Sequence, residues 1–402
     1  MAGRRFHERR LALGLCFASL FCVFLLQHAE AEAAEERRCG DALQAVYQES
    51  WGLPAAPEDI DLADLRAACE IEDLAGAEGK ATALTYDGLK AYAEGGEKTA
   101  LARWKAAAAL DSDLAMVALG DAALRRGDVP DLSEVHDWYR QAADAESPLG
   151  MSKLGWLYQR GYHVEEDPAQ SMDWYLRAAE AREPTAMYYL AGFYMQGIVV
   201  AQDIQLSIQW YGWAAEAGSA QAYHSLGEIY DEGSLVPEDD ERAGYYYRLA
   251  AFGGVPEAML ELGEMHDQGS GVPQDHAEAA HWYQRALDEG VAEAGHGLGL
   301  LYYQGLGVEA DSGIALSYFI ISAEAGKPES MASAGTLAME QGDYQVAYFW
   351  CVLAARHGMQ TLVSFRIVEL QALLPDEVLV ETERKAQVWT AGAPAGKGPV
   401  RF

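Results

Sequence analysis

Apolar side chains recur along this chain every three to four residues, which is the spacing of amphipathic α-helices. Two patterns alternate. In the first, a leucine precedes a tyrosine by four residues, as Leu226 and Tyr230 do. In the second, an aromatic residue precedes an alanine by four, as Trp174 and Ala178 do, so that a large and a small side chain share one helical face. Polar stretches separate the two, and the alternation predicts successive pairs of helices in an all-α fold.

The aromatic pattern returns at a constant interval of 36 residues. Its full copies are Trp138-Tyr139-x-x-Ala142-Ala143, Trp174-Tyr175-x-x-Ala178-Ala179, Trp210-Tyr211-x-x-Ala214-Ala215, Tyr246-Tyr247-x-x-Ala250-Ala251, Trp282-Tyr283-x-x-Ala286-Leu287 and Tyr318-Phe319-x-x-Ser322-Ala323. Partial copies flank them at Trp104-x-x-x-Ala108-Ala109 and Trp350-x-x-x-Ala354-Ala355. A period in this range is typical of a solenoid of helical hairpins, each of which packs on the next.

The leucine and tyrosine belong to a second motif, Leu-Gly-x-x-Tyr-x-x-Gly, which opens each unit. Its copies begin at Leu154, Leu190 (with alanine for the first glycine), Leu226, Leu262 (with histidine for tyrosine) and Leu298. A glycine inside a helix costs about 1 kcal/mol relative to alanine, so its recurrence predicts a close contact between helices. The trailing glycine is typical of a helix C-terminus, where the backbone turns left-handed.

Together, the Leu-Gly-x-x-Tyr-x-x-Gly motif, a loop containing aspartate, and Trp-Tyr-x-x-Ala-Ala resemble Sel-1-like repeats, relatives of the tetratricopeptide repeat. The resemblance covers residues 113–358 well and residues 82–110 more weakly. It implies an α-solenoid, wound as a right-handed superhelix, of about eight helix-turn-helix repeats with capping helices at both ends. We expect an N-terminal cap over residues 34–81, the solenoid over 82–358, a C-terminal cap over 359–390 and a flexible tail over 391–402.

The first residues differ from the rest in composition. Arginines precede an uncharged apolar run over residues 11–26, and small residues follow at the spacing that signal peptidase recognises. This pattern predicts a signal peptide over residues 1–33, cleaved near Ala31 or Ala33, and a periplasmic or secreted protein of a Gram-negative-type cell. The alternative is an uncleaved N-terminal membrane anchor, although the apolar run is shorter than the roughly 20 residues that a membrane span needs.

The formal net charge of −33 argues against nucleic acid as a partner, because affinity for nucleic acid comes mainly from lysine and arginine on phosphate. An acidic surface favours cations and basic proteins, or serves solubility alone. Cys39 and Cys69 would form a disulfide in an exported protein, and the alternative is two buried free thiols. Cys351 lies next to Trp350 in a repeat helix and is predicted to be a core residue.

Chemistry-bearing motifs are not evident in the sequence. It contains no phosphate-binding loop, dinucleotide fingerprint, nucleophile elbow or His-Glu-x-x-His helix, so we expect no cofactor, no metal site and no enzymatic activity. Acidic loop residues such as Glu165 and Glu166 lack the ligand pattern of a calcium loop. The repeated aromatic residues keep a fixed register and are therefore expected in the core.

In related helical repeats, partners bind in a concave groove lined by the first helix of each pair, at positions −5, −2, +2 and +5 from the repeat leucine. We call these positions the variable face, because here they change from repeat to repeat. The predicted partner-binding residues are Trp156, Tyr188, His224, Glu228, Asp231, Glu257, Glu264, Asp267, Glu293, His296 and Tyr303. The alternative is that these are simply exposed helix residues.

The resemblance implies a scaffold or adaptor for envelope proteins, bound through basic or amphipathic segments by charge complementarity. Exported Sel-1-like proteins include components of exopolysaccharide secretion assemblies and periplasmic regulators of sensor kinases. One alternative is a hydrolase of the β-lactamase type, as suggested for cysteine-rich exported members, but this chain lacks their cysteine pairs within repeats. Another is a polysaccharide-binding module anchored by Trp156, Tyr188 and Tyr303.

Overall fold

A computed structural model describes residues 76–126 and 132–389, together with residues 39, 42–44 and 69. Within these ranges every regular element is a helix and no strand occurs. No helix there is both long enough and apolar enough to span a bilayer. The predicted signal peptide, most of the predicted N-terminal cap and the tail over 391–402 lie outside the described residues.

The chain divides into two compact units, Met1–Ser219 and Ala220–Phe402. In the first, the described helices longer than one turn are α1 (Gly76–Ala93), α2 (Glu97–Ala108), α3 (Asp113–Arg125), α4 (Leu132–Asp144), α5 (Pro148–Arg160), α6 (Pro168–Glu180), α7 (Pro184–Gln196) and α8 (Ile204–Glu216). In the second they are α9 (Ala220–Glu232), α10 (Asp240–Phe252), α11 (Pro256–Gln268), α12 (His276–Asp288), α13 (Ala294–Gln304), α14 (Ser312–Glu324), α15 (Pro328–Glu340), α16 (Tyr344–Ala354), α17 (Gln360–Leu373) and α18 (Asp376–Val388).

Helices α1 to α16 form eight consecutive antiparallel pairs among the described residues, in agreement with the predicted number of repeats. Inside each unit, the second helix of a pair also packs against the first helix of the next pair. The predicted solenoid of helical hairpins is confirmed. Its predicted start at residue 82 lies inside α1, and its predicted end at residue 358 lies at the kink between α16 and α17, where Gly358 has φ of 96°.

The contact predicted for the recurring helix glycine is made with the second aromatic residue of the same repeat. A Cβ atom on Gly155 would lie 2.8 Å from the ring of Tyr175, and one on Gly227 would lie 2.5 Å from the ring of Tyr247. Both tyrosine rings are buried. Where the glycine is present, the two motifs of a repeat therefore meet in one contact, and the absence of a side chain on the glycine sets how closely the helices approach.

The loop between the paired helices supplies the C-terminal cap of the first helix and the N-cap of the second. Gly233 has φ of 60°, and four equivalent glycines end their helices in the same left-handed region, as predicted. The loop aspartate recurs every 36 residues and caps the second helix. Asp275 accepts hydrogen bonds from the backbone N–H groups of Ala277 and Glu278 at 3.0 and 3.1 Å. Its own N–H donates to the carbonyl of His266 at 2.8 Å, which ties the two helices together.

The aromatic pattern shifts by one residue in the first pair. Trp104 packs against Gly88, and the alanines buried behind it are Ala107 and Ala108, whereas Ala109 is exposed. Trp104 thus takes the place of the second aromatic residue, and the predicted match to Ala108-Ala109 was wrong by one position. Tryptophan can replace tyrosine in this position, because its indole ring packs against Gly88 as the tyrosine rings pack against the equivalent glycines.

The C-terminal helices α17 and α18 both pack on α16. Val363 and Leu370 of α17 and Ala386 of α18 are buried there, and Tyr348 of α16 donates a hydrogen bond to Glu383 at 2.7 Å. Cys351, also on α16, is buried against Gly335 in the position of the repeat tyrosine. At the other end, Cys39 and Cys69 are buried and joined in a disulfide.

Candidate functional site

In the first unit, the variable face is aromatic, and its rings are engaged with one another. Trp156 is half-buried and meets Tyr162 edge-on, with ring centroids 5.1 Å apart. Tyr188 is also half-buried and lies edge-on to Tyr189 and Tyr211, at 5.7 and 5.4 Å. These two predicted binding residues therefore contribute to ring packing within the unit, which leaves only part of each side chain open to a partner.

In the second unit, three predicted carboxylates interact electrostatically with Glu261, and a fourth, Asp267, interacts with the same tyrosine, Tyr283, as Glu261 does. Glu228 and Asp231 project from α9, and Glu264 and Asp267 project from α11. Glu261, also on α11, lies among them. We call these five residues the acidic cluster. Burial, together with repulsion from Glu264, Asp231 and Glu228, raises the pKa of Glu261 to about 7. A carboxyl group with this pKa is about half protonated at neutral pH.

Glu261 was not among the predicted residues, because it occupies position −1 from Leu262 rather than one of the four offsets of the variable face. A signal was present in the alignment of repeats. The same position before Leu154 holds Lys153, so a charged residue in an otherwise apolar part of the helix occurs twice. A charge beside the core of a helix pair indicates a partner for that charge.

Tyrosine hydroxyl groups lie next to the acidic cluster. Tyr247 donates a hydrogen bond from its hydroxyl to Asp231 Oδ2 at 3.4 Å. Burial raises the pKa of Asp231, and the hydrogen bond from Tyr247 partly opposes that shift. Burial also raises the pKa of Tyr283, and the negative charges of Asp267, Glu264 and Glu261 raise it further. Both tyrosines therefore remain neutral, and neither offsets the negative charge of the cluster.

The equivalent place in the first unit is electrically balanced. Lys153 Nζ lies 3.0 Å from Asp121 Oδ1, and the two side chains are 7% and 3% exposed. Tyr139 donates its hydroxyl hydrogen to the same carboxylate. Asp121 stands at position +2 of its repeat, where Glu228 stands in α9, and Lys153 stands where Glu261 stands. The framework thus holds a lysine–aspartate pair in one repeat and two glutamates in another.

Cations are scarce around the acidic cluster. Helices α9 and α11 contain no lysine or arginine. Within the described part of the chain, the ion-pair contacts of the five carboxylates are with histidines. His224 Nδ1 lies 3.5 Å from Glu228, and His276 Nδ1 lies 2.9 Å from Asp267. No group of histidine, cysteine and carboxylate side chains in the described ranges is arranged to hold a metal ion. The chemistry that this surface offers is the attraction of cationic groups.

The other predicted residues have local roles. Glu257 is exposed in the first turn of α11, and Glu293 is exposed at the N-cap of α13, where negative charge suits the helix dipole. His224 is buried against the ring of Tyr247 at 5.6 Å. His296 packs on Phe319 at 5.5 Å, and burial followed by repulsion from Lys327 lowers its pKa.

Tyr303 lies further along the second unit. It is 45% exposed, and its hydroxyl donates to Glu340 at 3.3 Å. The structure therefore groups four of the eleven predicted residues into one charged surface and leaves the other seven outside it.

Paired helices, glycine–tyrosine contacts and a variable face together define a helical-repeat protein of the kind that binds other macromolecules. The chain belongs to the Sel1 repeat family. The family model matches residues 113–147, 148–182, 184–219, 220–253, 256–291, 292–327 and 331–359, which is more than half of the chain. Proteins of this family are generally non-catalytic helical repeats that act as scaffolds for protein interactions.

Several solved structures are similar to this chain. A Sel1 repeat protein from Oxalobacter formigenes is 32% identical, with a TM-score of 0.55, over 60% of this chain and 99% of that protein. A protective antigen of uropathogenic Escherichia coli with an SLR fold is 23% identical, with a TM-score of 0.44, over 90% and 84% of the two chains. An immunity protein from Pseudomonas aeruginosa is 19% identical, with a TM-score of 0.36, over 51% and 78%. No protein of curated function matches the chain.

Proposed function

We propose that this protein is a non-catalytic scaffold of the cell envelope that binds a basic segment of another protein at the acidic cluster. The observation that carries the proposal is the half-buried Glu261, whose pKa is raised to about 7 among three other carboxylates. Such a concentration of negative charge is unfavourable in the free protein. A cationic side chain from a partner would relieve it, because opposite charges favour the ionised form of a carboxyl group.

The first unit supplies an internal example of the contact. There a lysine amine meets the carboxylate of Asp121 at 3.0 Å, at the place where Glu261 faces Glu228 in the second unit. A lysine or arginine of the partner would take the position that Lys153 takes in its own repeat. Charge-assisted hydrogen bonds of this type are stronger than neutral ones, and they fix the register of the bound segment.

We infer export from two features, and this inference supports the choice of partner. The Cys39–Cys69 disulfide is a bond that persists in oxidising compartments such as the periplasm. The N-terminal sequence has the composition of a secretory signal. We infer that the partners are envelope proteins, in exopolysaccharide assembly or secretion or in envelope signalling.

A pair of variants on one helix tests the proposal. Glu261→Lys places a lysine inside the cluster, where it would pair with Glu228 as Lys153 pairs with Asp121. Glu257→Lys makes the same charge change on the exposed first turn of α11. Binding of an acetylated four-lysine peptide at 150 mM salt should weaken about tenfold or more in Glu261→Lys and stay within about twofold in Glu257→Lys.

Equal binding by the two variants would contradict the proposal, because long-range attraction to the net charge would then explain all of it. The same two variants would also identify the native partner. Tagged mature protein would be used for affinity purification from its own envelope, followed by mass spectrometry. A partner retained by Glu257→Lys and lost by Glu261→Lys is the expected result.

Neither alternative function has a comparable observation in its favour. The predicted sugar anchors are divided between the two units, and the rings of Trp156 and Tyr188 pack edge-on against neighbouring rings. A hydrolase of the β-lactamase type would turn over nitrocefin. We expect no turnover by the mature protein, and measurable hydrolysis would reverse this assignment.

A further inference from the structure

An open apolar cavity of about 180 Å³ lies in the second unit, away from the acidic cluster. Its walls come from four helices. Leu300 of α13, Phe319 of α14, Ala332 and Leu337 of α15, and Leu362 of α17 supply the apolar lining. Apolar recesses that open to solvent and carry a few polar groups are the usual form of binding pockets in proteins.

The cavity continues the variable face. Leu300 and Tyr303, which both line it, stand at positions +2 and +5 from Leu298. Glu264 and Asp267 of the acidic cluster occupy the same two positions in the preceding repeat. In the second unit, positions +2 and +5 therefore hold carboxylates in one repeat and line an apolar cavity in the next.

The size of the cavity selects its occupant. An apolar cavity of about 150 Å³ holds a benzene molecule. A recess of 180 Å³ can therefore hold one phenyl ring or one leucine side chain. Its rim is polar, since the hydroxyl of Tyr303 donates to Glu340 and Arg366 donates to the carbonyl of Leu362 at 3.1 Å.

Helix α17 extends the apolar surface beyond the mouth of the cavity. Leu362 is 54% exposed and Phe365 is 78% exposed. The outer surface of a terminal capping element is normally polar. Exposed apolar patches with polar rims mark interaction sites on soluble proteins.

We propose that this cavity is an anchor pocket for one phenylalanine or leucine side chain of the same basic partner segment that binds the acidic cluster. The proposal rests on the proposed function. The partner segment has two parts. Its lysine or arginine residues bind the acidic cluster, because α9 and α11 contain no cation of their own, and one large apolar side chain enters the cavity. Buried apolar anchors that fill a pocket supply most of the affinity of such complexes, while charges set orientation and rate.

Peptides of matched charge test the pocket. Each carries four lysines and one phenylalanine at an increasing separation, and each has a partner in which phenylalanine is replaced by alanine. At the best separation we expect phenylalanine to tighten binding about tenfold or more relative to alanine, as full burial of such a side chain does. If no separation distinguishes phenylalanine from alanine, the anchor pocket is refuted while binding at the acidic cluster stands.

Two protein variants locate the effect. Leu362→Glu places a charge at the mouth of the cavity, and Val380→Glu places one at a somewhat more exposed apolar position on α18 that does not line it. Both replaced side chains are more than half exposed, so both variants should fold. The phenylalanine advantage should disappear in Leu362→Glu and persist in Val380→Glu. The same loss, or no loss, in both variants would overturn the assignment.

A neutral probe separates the pocket from the charge interaction. N-acetyl-phenylalaninamide should shift the methyl NMR signals of Leu300, Leu337 and Leu362, and N-acetyl-alaninamide should not. The shifts should persist in Glu261→Lys, which removes only the binding of basic peptides. If the four-lysine peptides fail to bind but the neutral probe shifts these signals, the proposed function fails and the pocket remains. Absence of shifts at millimolar probe would refute the pocket.

Discussion

At the scale of single residues, a glycine decides how closely the paired helices approach in every described repeat except the one with Ala191. Gly227 lies under the ring of Tyr247, where a methyl group would come within 2.5 Å of the ring. The conformational cost of glycine in a helix is offset by the packing that its missing side chain permits. Gly192, on the first helix of another repeat, has open space where its Cβ would be. The two glycines therefore have opposite expected responses to the same substitution.

Gly227→Ala should lower the free energy of unfolding by about 1–3 kcal/mol, because the added methyl group overpacks the contact with Tyr247. Gly192→Ala should raise it by about 1 kcal/mol, because alanine is the better helix former and meets no neighbour. Urea unfolding followed by circular dichroism measures both. A stabilising effect of Gly227→Ala would show that the ring moves aside at little cost.

Lys153 offers a second prediction at this scale. Its amine neutralises the buried carboxylate of Asp121, and the hydroxyl of Tyr139 donates to the same group. Lys153→Met should therefore cost about 3–5 kcal/mol at pH 7, because it removes the buried cation that pairs with this buried carboxylate. The double variant Lys153→Met with Asp121→Leu should recover part of that loss. Equal stability of the single and double variants in denaturant titrations would count against this account.

At the scale of elements, each hairpin depends on the loop between its helices. The left-handed glycine ends the first helix, and the aspartate that follows starts the second. The sequence motif predicted the glycine, and it placed the aspartate in the loop without its role. Only the backbone geometry identifies that aspartate as an N-cap that also bonds back to the preceding helix.

Asp275→Ala should lower the free energy of unfolding by about 1 kcal/mol, because the N–H groups of Ala277 and Glu278 lose their acceptor. Asp275→Asn retains a side-chain oxygen and should lose much less. Thermal unfolding of the two variants provides the comparison. If asparagine and alanine prove equally destabilising, the carboxylate acts through charge rather than as a cap.

The C-terminal cap departs from the expectation for a terminal element. Its apolar residues do not all face the core. Leu370 is buried against α16, whereas Leu362, Phe365 and Val368 are 54%, 78% and 66% exposed. Hydrophobic character all round a helix predicts burial on every side. One side of α17 is buried against α16, whereas the other side is exposed to solvent and adjoins the anchor pocket.

At the scale of the whole molecule, negative charge is spread along the sequence, but the fold concentrates its effect at one place. Glu261 belongs to α11 and interacts with Glu228 and Asp231 of α9. Its pKa in the folded protein is about 7, against an ordinary value of 4.5. The stabilising contribution of its protonated form is complete below about pH 4.5 and is lost as the pH rises through 7.

Glu261→Gln should therefore stabilise the protein at pH 8 by about 1 kcal/mol, a value reduced from the full shift because the side chain is partly exposed. At pH 4 the variant and the wild type should be similar. Urea unfolding at the two pH values provides the measurement, and the difference between the two proteins cancels the other titrating groups. A difference that does not change with pH would show that Glu261 titrates normally.

The same titration affects binding. A cation in the acidic cluster lowers the pKa of Glu261, so binding should release a proton near pH 7 and tighten between pH 6 and pH 8. Calorimetry in buffers of different ionisation enthalpy detects that proton. Glu257→Lys should release it as the wild type does. Binding that weakens over this pH range would contradict the assignment of Glu261 as the responsive group.

The sequence predicted the repeat and its framework well, because each motif reports a local requirement. Leucine and tyrosine four apart predict a helix face, and glycine predicts a close approach or a left-handed turn. The candidate site was only partly predictable. Glu228, Asp231, Glu264 and Asp267 were found by their offsets from the repeat leucine, and the structure brings them together. Glu261 was missed, because its importance lies in neighbours on another helix.

By itself, the sequence determined the period, the pairing of helices and the positions free to vary, since these follow from contacts that recur every 36 residues. The tertiary structure alone decided which variable positions meet. It placed a balanced Lys153–Asp121 pair in one repeat and the unbalanced Glu261 in another, and it left an apolar cavity beside Leu362. The physical reason is that charge and cavity energies depend on distances between side chains of different helices, which no local pattern encodes.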